Sequence, residues 1–326
     1  MNRRITIKDI AKVSGCSVNC VSRALMDAPD ISQKTKDKIK QVALEMGYVH
    51  NRDAASLRTL KSHTIAILYD SLLNPYYQIM TNYLWERLHE SGYSILTFKS
   101  DAAIFDEEMA RQIVSTNVDG LLSFLQPSQA AQALLNVNVI PVVVVGRKTH
   151  GLCDCVYIDD IKGGRLAAQH FISRGYVKPL YMGITKQLDC SVERGKGFVE
   201  EFASAKVTAE TVFLDDLDGR DFATHVRQLH QSDNLPDCIF CFNDQAAYQV
   251  MAELNKLNAS HVAVIGFDNI QQEIAMPSLL TTISFNKKEL TDTAVTILLN
   301  EINGIEDNHS AQTVISDLTV VRHGAE

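Results

Sequence analysis

From residue 63 onward, short apolar runs alternate with helix-like stretches, and that alternation limits the chain to a narrow set of folds. The runs are TIAILYD, YSILTF, DGLLSFL, IPVVVVG, CVYID, PLYMGI, ETVFLD, CIFCF, HVAVIGFD and LLTTISF. Helical patterns over 75–90, 107–116, 163–173, 192–202, 244–257 and 287–303 lie between them. Strands that are apolar on both faces, each followed by a helix, belong to parallel sheets covered on both sides. Ten such strands fit two doubly wound lobes better than one.

Residues 5–48 have a different texture, three short helices with no strand between them. Thr6 can cap a first helix over 7–13, with Asp9 in the first turn, where the helix dipole favours an acid. Gly15 breaks the pattern. A second helix over 18–26 follows Ser17, with Val21 and Leu25 as its apolar stripe. Ser32 caps a third helix over 33–46, which Gly47 ends. The spacing of Ala11, Gly15 and Val21 is what a helix-turn-helix requires: a small residue for close approach, a glycine for the turn, and an apolar residue to lock the second helix. The expected fold is therefore an all-α helix-turn-helix head on an α/β body of two doubly wound parallel-sheet lobes.

Charge divides the chain at the same place. Residues 1–61 carry a net +6 and residues 62–326 a net −14, which gives the overall −8. A basic head on an acidic body is expected when one part meets a polyanion and the other does not. No apolar stretch reaches the 18 or so residues of a membrane span, since Pro141 interrupts the longest run, 139–145. Arg3, Arg4, Lys8 and Asp9 stand where a signal peptide would need an apolar core, so a cytoplasmic protein is expected.

Catalysis finds little footing. No G-x-G-x-x-G follows a strand, neither a phosphate-binding G-x-x-x-x-G-K-S/T nor G-x-S-x-G nor H-E-x-x-H occurs, and none of the ten histidines pairs at i, i+4. A nicotinamide-dependent enzyme is the rival reading, without a motif to support it. Seven cysteines, an odd number, suit a reducing compartment. Cys238 and Cys241 form a C-x-x-C, but positions three apart on a strand face opposite sides and no partner completes a metal set. Cys153 and Cys155 can share a side. Neither metal nor cofactor is expected. The adjacent acids Asp159-Asp160 and Asp215-Asp216 read as caps of the following helices.

Two segments carry a resemblance to a known family: TIKDIAKVSGCSVNCVSRAL from Thr6, and GYVHN-x-x-A-x-SLRT closing near Thr59. With them the chain resembles the LacI/GalR family of bacterial transcription regulators along its whole length. The resemblance implies that the second helix lies in the major groove of operator DNA, with Val18, Asn19 and Arg23 at base edges. Chemically, Arg suits guanine, Asn adenine, and Val a thymine methyl. Ser17, Ser22, Ser32, Thr35 and Tyr48 match phosphate-contacting positions, and Thr6 and Asn51 belong with the same surface. Asn19-Cys20 stands where the family commonly has Ala-Thr. The linker Asn51–Thr59 resembles the family's hinge helix, with Ala54 close to the minor groove and Leu57 as an apolar wedge at the central step. Asp53 and Ala55 depart from the commoner basic or amide residues. The implied division is a head over 1–50, a hinge over 51–62 and a body over 63–326. One lobe takes about 63–160 and 286–317, the other about 161–285 and 318–326.

The body resembles the family's effector domain, itself like periplasmic sugar-binding proteins, which implies a small-molecule cleft between the lobes. Arg194 in SVERGKGF, Asn243 in FNDQ and Asp268 in IGFDN match its motif positions, and together they suit the vicinal hydroxyls of a sugar. Asn74, Tyr76 and Tyr77 follow the first body strand, where an aromatic can stack on a sugar ring or simply pack the helix start. Gly146 occupies a place where several relatives carry a ligand-binding Asp. Its neighbour Arg147 adds a cation, which points either to a phosphorylated or acidic ligand or to solvent. The implied protein is a homodimeric repressor of a carbohydrate-use operon, bound to a pseudo-palindromic operator. Its effector is a sugar or sugar phosphate; a purine-like corepressor and a protein coregulator are the alternatives. Helices around 77–88 and 245–254 are the expected interface. With no heptad tail after the last strand, a dimer is expected and not a tetramer.

Overall fold

The structure is a computed structural model that describes residues 5–49, 61–71, 73–214, 221–275, 277, 279–305 and 312–322. The chain divides into two compact units, Met1–Ser62 and His63–Glu326.

The head holds α1 (Ile7–Ser14), α2 (Val18–Leu25) and α3 (Gln33–Glu45). Helices this short are marginal alone, and they hold together by burying Ile10, Ala11, Val21, Ala24, Ile39 and Ala43 in one cluster. The Asp9 carboxylate accepts from the Thr6 amide at 2.8 Å and from its hydroxyl at 2.6 Å, which fixes the start of α1. Gly15 ends that helix in the left-handed region at φ 70°, where a side chain would be strained.

The body begins with β1 (Thr64–Tyr69), α4 (Pro75–Glu90), β2 (Ser94–Lys99), β3 (Ile104–Phe105), α5 (Glu107–Ser115), β4 (Gly120–Ser123), β5 (Gln126–Pro127), α6 (Gln129–Val137), β6 (Val142–Val145) and β7 (Asp154–Ile158). It continues with α7 (Asp160–Ile172), β8 (Pro179–Gly183), α8 (Asp189–Ser204), β9 (Glu210–Phe213), α9 (Asp221–Gln231), β10 (Cys238–Cys241), α10 (Asp244–Lys256), β11 (Ala263–Phe267), α11 (Ile270–Glu273) and β12 (Thr281–Phe285). It closes with α12 (Lys287–Ile302), β13 (Gln312–Ile315) and β14 (Leu318–Val321). Helices α6 and α9 add to those the sequence pattern predicts.

One six-stranded sheet runs β13-β7-β6-β4-β1-β2, the other β14-β12-β11-β10-β8-β9. Every neighbouring pair is parallel except β12 with β14. In each sheet the first five strands take the order 2-1-3-4-5, so each has a topological switch point between its first and third strands. Doubly wound sheets bind ligands at the carboxyl ends of the strands there. The chain passes between sheets three times, at 158–160, 285–287 and 315–318. Cys238 and Cys241 are both buried, each in a different core cluster, as alternation along β10 requires. Cys153 and Cys155 share one cluster.

Candidate functional site

On the head, the start of α2 presents a polar face. Val18 is 43% exposed, and Asn19 and Arg23 are exposed beside it. The Arg23 Nε and Nη2 both donate to Asp30 Oδ1, at 3.2 and 2.6 Å. Ser17 caps α2, its hydroxyl accepting from the Cys20 amide at 3.1 Å. Ser32 caps α3 through the Thr35 amide at 3.3 Å, and its hydroxyl lies 2.8 Å from that of Thr35. Tyr48 is half-buried against the head core. Ser22, on α2, is only 5% exposed. Asn51, Ala54 and Leu57, with Asp53 and Ala55, lie outside the described residues.

In the body, the carboxyl ends of both sheets meet around one cleft. Asn74, Tyr76, Tyr77, Arg147, Arg194, Asn243 and Asp268 all line it. The first lobe supplies the residues following β1 and β6. The second supplies those at the start of α8 and following β10 and β11. Asn74 and Asn243 cap α4 and α10, their Oδ1 atoms accepting from the Tyr76 amide at 3.0 Å and the Ala246 amide at 2.9 Å. Each side chain is thereby fixed at a strand end by the helix that follows it.

Charges here are unevenly matched. Arg194 is 5% exposed; its Nε donates to Asp160 Oδ1 at 2.7 Å and its Nη1 to the Phe242 carbonyl at 2.6 Å. The guanidinium carbon also lies 3.5 Å from the centroid of the Phe267 ring, a cation–π contact. Burial works against the Arg194 charge, but Asp160 and Asp268 hold its pKa above the ordinary value. Arg147 does not point to solvent: its Nη2 donates to Asp70 Oδ2 at 3.2 Å and its Nη1 to the Ala103 carbonyl at 3.2 Å. Both arginines are thus already neutralised by carboxylates.

Asp268 is the opposite case. It is 6% exposed and its carboxylate accepts no hydrogen bond from any described residue. Burial pushes its pKa up to about 7, against the pull of Arg194 and Lys287. Asp268 and Asn269 take φ of 102° and 50°, two successive non-glycine residues outside the usual regions. Such strain persists only where the surroundings over-determine it. Here the Asp268 amide donates to the Ile283 carbonyl at 2.9 Å and the Asn269 amide to Thr282 Oγ1 at 3.2 Å. Asp160 is likewise raised by burial, to about 6, with Arg194 pulling it back.

Gly146, where several relatives carry Asp, has φ 80° and its N–H bonded to the Val156 carbonyl at 2.7 Å. A Cβ there would stand 3.3 Å from the Tyr76 hydroxyl, so the absent side chain makes room for the tyrosine. Seven lining residues escape the sequence reading: Asp70, Phe124, Val145, Ile158, Ile184, Cys190 and Phe242. Asp160, read as a helix cap, is instead the partner of Arg194; Asp159 is the cap, accepting from the Lys162 amide at 3.0 Å. The cleft has a volume of about 60 Å³. A larger hollow of about 290 Å³ lies elsewhere in the second lobe, among His170, Arg174, Asn255 and Ser260. None of the buried unpartnered polar atoms found among the described residues belongs to the lining of either hollow.

Among the described residues no helix is long and apolar enough to cross a membrane. A family model described as "Periplasmic binding proteins and sugar binding domain of LacI family" matches residues 62–322. A second, "Bacterial regulatory proteins, lacI family", matches residues 6–51. Among curated proteins, the HTH-type transcriptional repressor PurR of Aliivibrio salmonicida (strain LFI1238) is 26% identical over 95% of both chains. The HTH-type transcriptional regulator DegA of Bacillus subtilis (strain 168) is 29% identical over 88% of both. The crystal structure of the Lac repressor dimer bound to operator and the anti-inducer ONPF superposes with a TM-score of 0.84, at 19% identity and 98% coverage of each chain, a likeness of fold. With one model covering its head and the other nearly all of its body, the chain belongs to the LacI family of bacterial regulatory proteins, DNA-binding transcription regulators with a ligand-binding domain and not enzymes.

Proposed function

We propose that this chain is a cytoplasmic homodimeric repressor whose hold on a pseudo-palindromic operator is set by a small neutral polyhydroxylated ligand, a sugar, in the inter-lobe cleft. The observation that carries the ligand class is the buried Asp268 carboxylate, which lacks a donor while both arginines beside it are paired. A hydroxyl pair would satisfy that carboxylate, with Asn243 and Arg194 completing the ring of donors. A phosphorylated ligand would set its negative charge near the Asp268 carboxylate, beside arginines whose charge Asp70 and Asp160 already offset, an unfavourable placement. The phosphate reading of Arg147 is therefore set aside. In the head, Val18, Asn19 and Arg23 read base edges, and Thr6, Ser17, Ser32, Thr35 and Tyr48 meet phosphates.

The regulatory step follows from a cleft lined by both lobes. A ligand shifts an equilibrium only by preferring one arrangement, and a sugar held from both walls prefers the lobe spacing at which both reach it. Two copies would meet through the outward face of α4, where Gln78, Asn82 and Trp85 are exposed while Tyr77, Leu84 and Leu88 are buried in the lobe itself. The full chain should enrich a pseudo-palindrome from a pool of randomised duplexes. Enrichment of no sequence at all would refute the operator reading.

A further inference from the structure

The Arg23 guanidinium on the outer face of α2 is held by one edge. Its Nε and Nη2 both meet Asp30 Oδ1, while Nη1 contacts no described residue. The end-on edge, Nη1 with the second hydrogen of Nη2, is left open. That is an edge with which an arginine can donate two parallel hydrogen bonds to guanine O6 and N7.

Asp30 itself sits on a fastened turn. The Ile31 amide donates to the Ala28 carbonyl at 3.2 Å, closing a four-residue turn with Pro29 in its second place, where the ring presets φ. The Ala28 amide donates to the Arg23 carbonyl at 3.0 Å, tying the turn to α2. On the far side, Lys36 Nζ donates to the Asp27 carbonyl at 3.1 Å and Lys40 pairs with the Asp27 carboxylate at 2.6 Å, tying it to α3. Ile31 packs against the head core.

An acid on a face that meets phosphates weakens general attraction to DNA. At 46% and 51% exposure the pair adds little to stability, so stability does not account for it. What it changes is freedom: a lone exposed arginine must be ordered when it binds, and a pre-positioned one much less so. Resting on the head's proposed role, we infer that Asp30 is a positioning residue, holding Arg23 by its Nε–Nη2 edge so that the opposite edge reads a guanine.

The test uses the full chain and the duplex it selects from a randomised pool, with each guanine then replaced in turn. Asp30→Ala should cut discrimination at one guanine by on the order of fivefold while binding to unselected duplex tightens. Asp30→Asn, which keeps an acceptor oxygen, should retain most of that discrimination. In an Arg23→Ala background, Asp30→Ala should leave discrimination unchanged, because the two act as one unit. Unaltered discrimination in Asp30→Ala, or an equal loss at every position, would overturn the assignment. Failure of the reading beneath it looks different: the wild-type chain would select no sequence, or Arg23→Ala would spare every guanine.

Discussion

Asp268 is costly where it stands, and the cost has a pH signature. An acid whose pKa is raised on folding destabilises the folded state as pH rises from its unfolded value toward its folded one. For Asp268 that window runs from the ordinary 3.8 to about 7. Asp268→Asn should therefore melt higher than the wild type by a margin that widens from about pH 4 to about pH 7 and then levels off, reaching several degrees. Thermal melts across a pH series check this; a margin constant with pH would contradict it. Asp160→Ala should act the other way, leaving the Arg194 guanidinium buried without its carboxylate. A loss of about 3–5 kcal/mol in urea unfolding is expected. Arg194, Asn243 and Asp268 were legible in the sequence because each stands in a motif at or just past a strand end. Asp160 and Asp70 were not, because their arginines lie 34 and 77 residues away and no local pattern joins them.

Helices α7 and α8 pack close enough that glycine is the only residue that fits at two points. A Cβ on Gly164 would stand 2.0 Å from the Arg194 carbonyl oxygen, and one on Gly197 2.0 Å from that of Ile161. Both obstacles are backbone, so neither can step aside. Gly164→Ala should destabilise the body by about 2–3 kcal/mol, measured in urea, and should weaken ligand response by displacing the helix that carries Arg194. A variant as stable as wild type would refute the close contact. On α4, Trp85 is the sole tryptophan and is 45% exposed, stacked on His89 at 4.9 Å. Trp85→Ala should shift the proposed dimer toward monomer in sedimentation, and an unchanged distribution would remove that face from the interface. The sequence made the helices flanked by clear strands legible to within about three residues. It missed α6, which is short and alanine-rich, and α9, whose buried apolar residues are only Phe222 and Val226. Periodicity needs a longer or cleaner stripe than either provides.

Across the whole molecule, the two lobes touch outside the cleft as well as along the crossings. The Tyr83 hydroxyl on α4 donates to Glu273 of the second lobe at 2.8 Å, and Lys148 of the first lobe pairs with Glu193 of the second at 2.5 Å. These contacts stabilise the present spacing, so Glu193→Gln should alter ligand affinity without touching the ligand. The basic head on an acidic body sets a second whole-molecule expectation. Operator affinity should fall steeply with salt, by orders of magnitude between 50 and 200 mM if roughly six or more phosphates are neutralised, and a flat dependence would contradict the phosphate contacts. Lobe number and the head were legible from texture and charge alone; the closeness of the cleft was not, because it depends on how two sheets built from distant segments meet. The most direct measurement is anisotropy of the selected duplex, labelled and bound to the full chain, during addition of neutral mono- and disaccharides and of their phosphates. A response to a neutral sugar that Asp268→Asn abolishes, with duplex affinity intact, is the predicted result. A response that survives Asp268→Asn, or that only phosphates produce, would contradict the account.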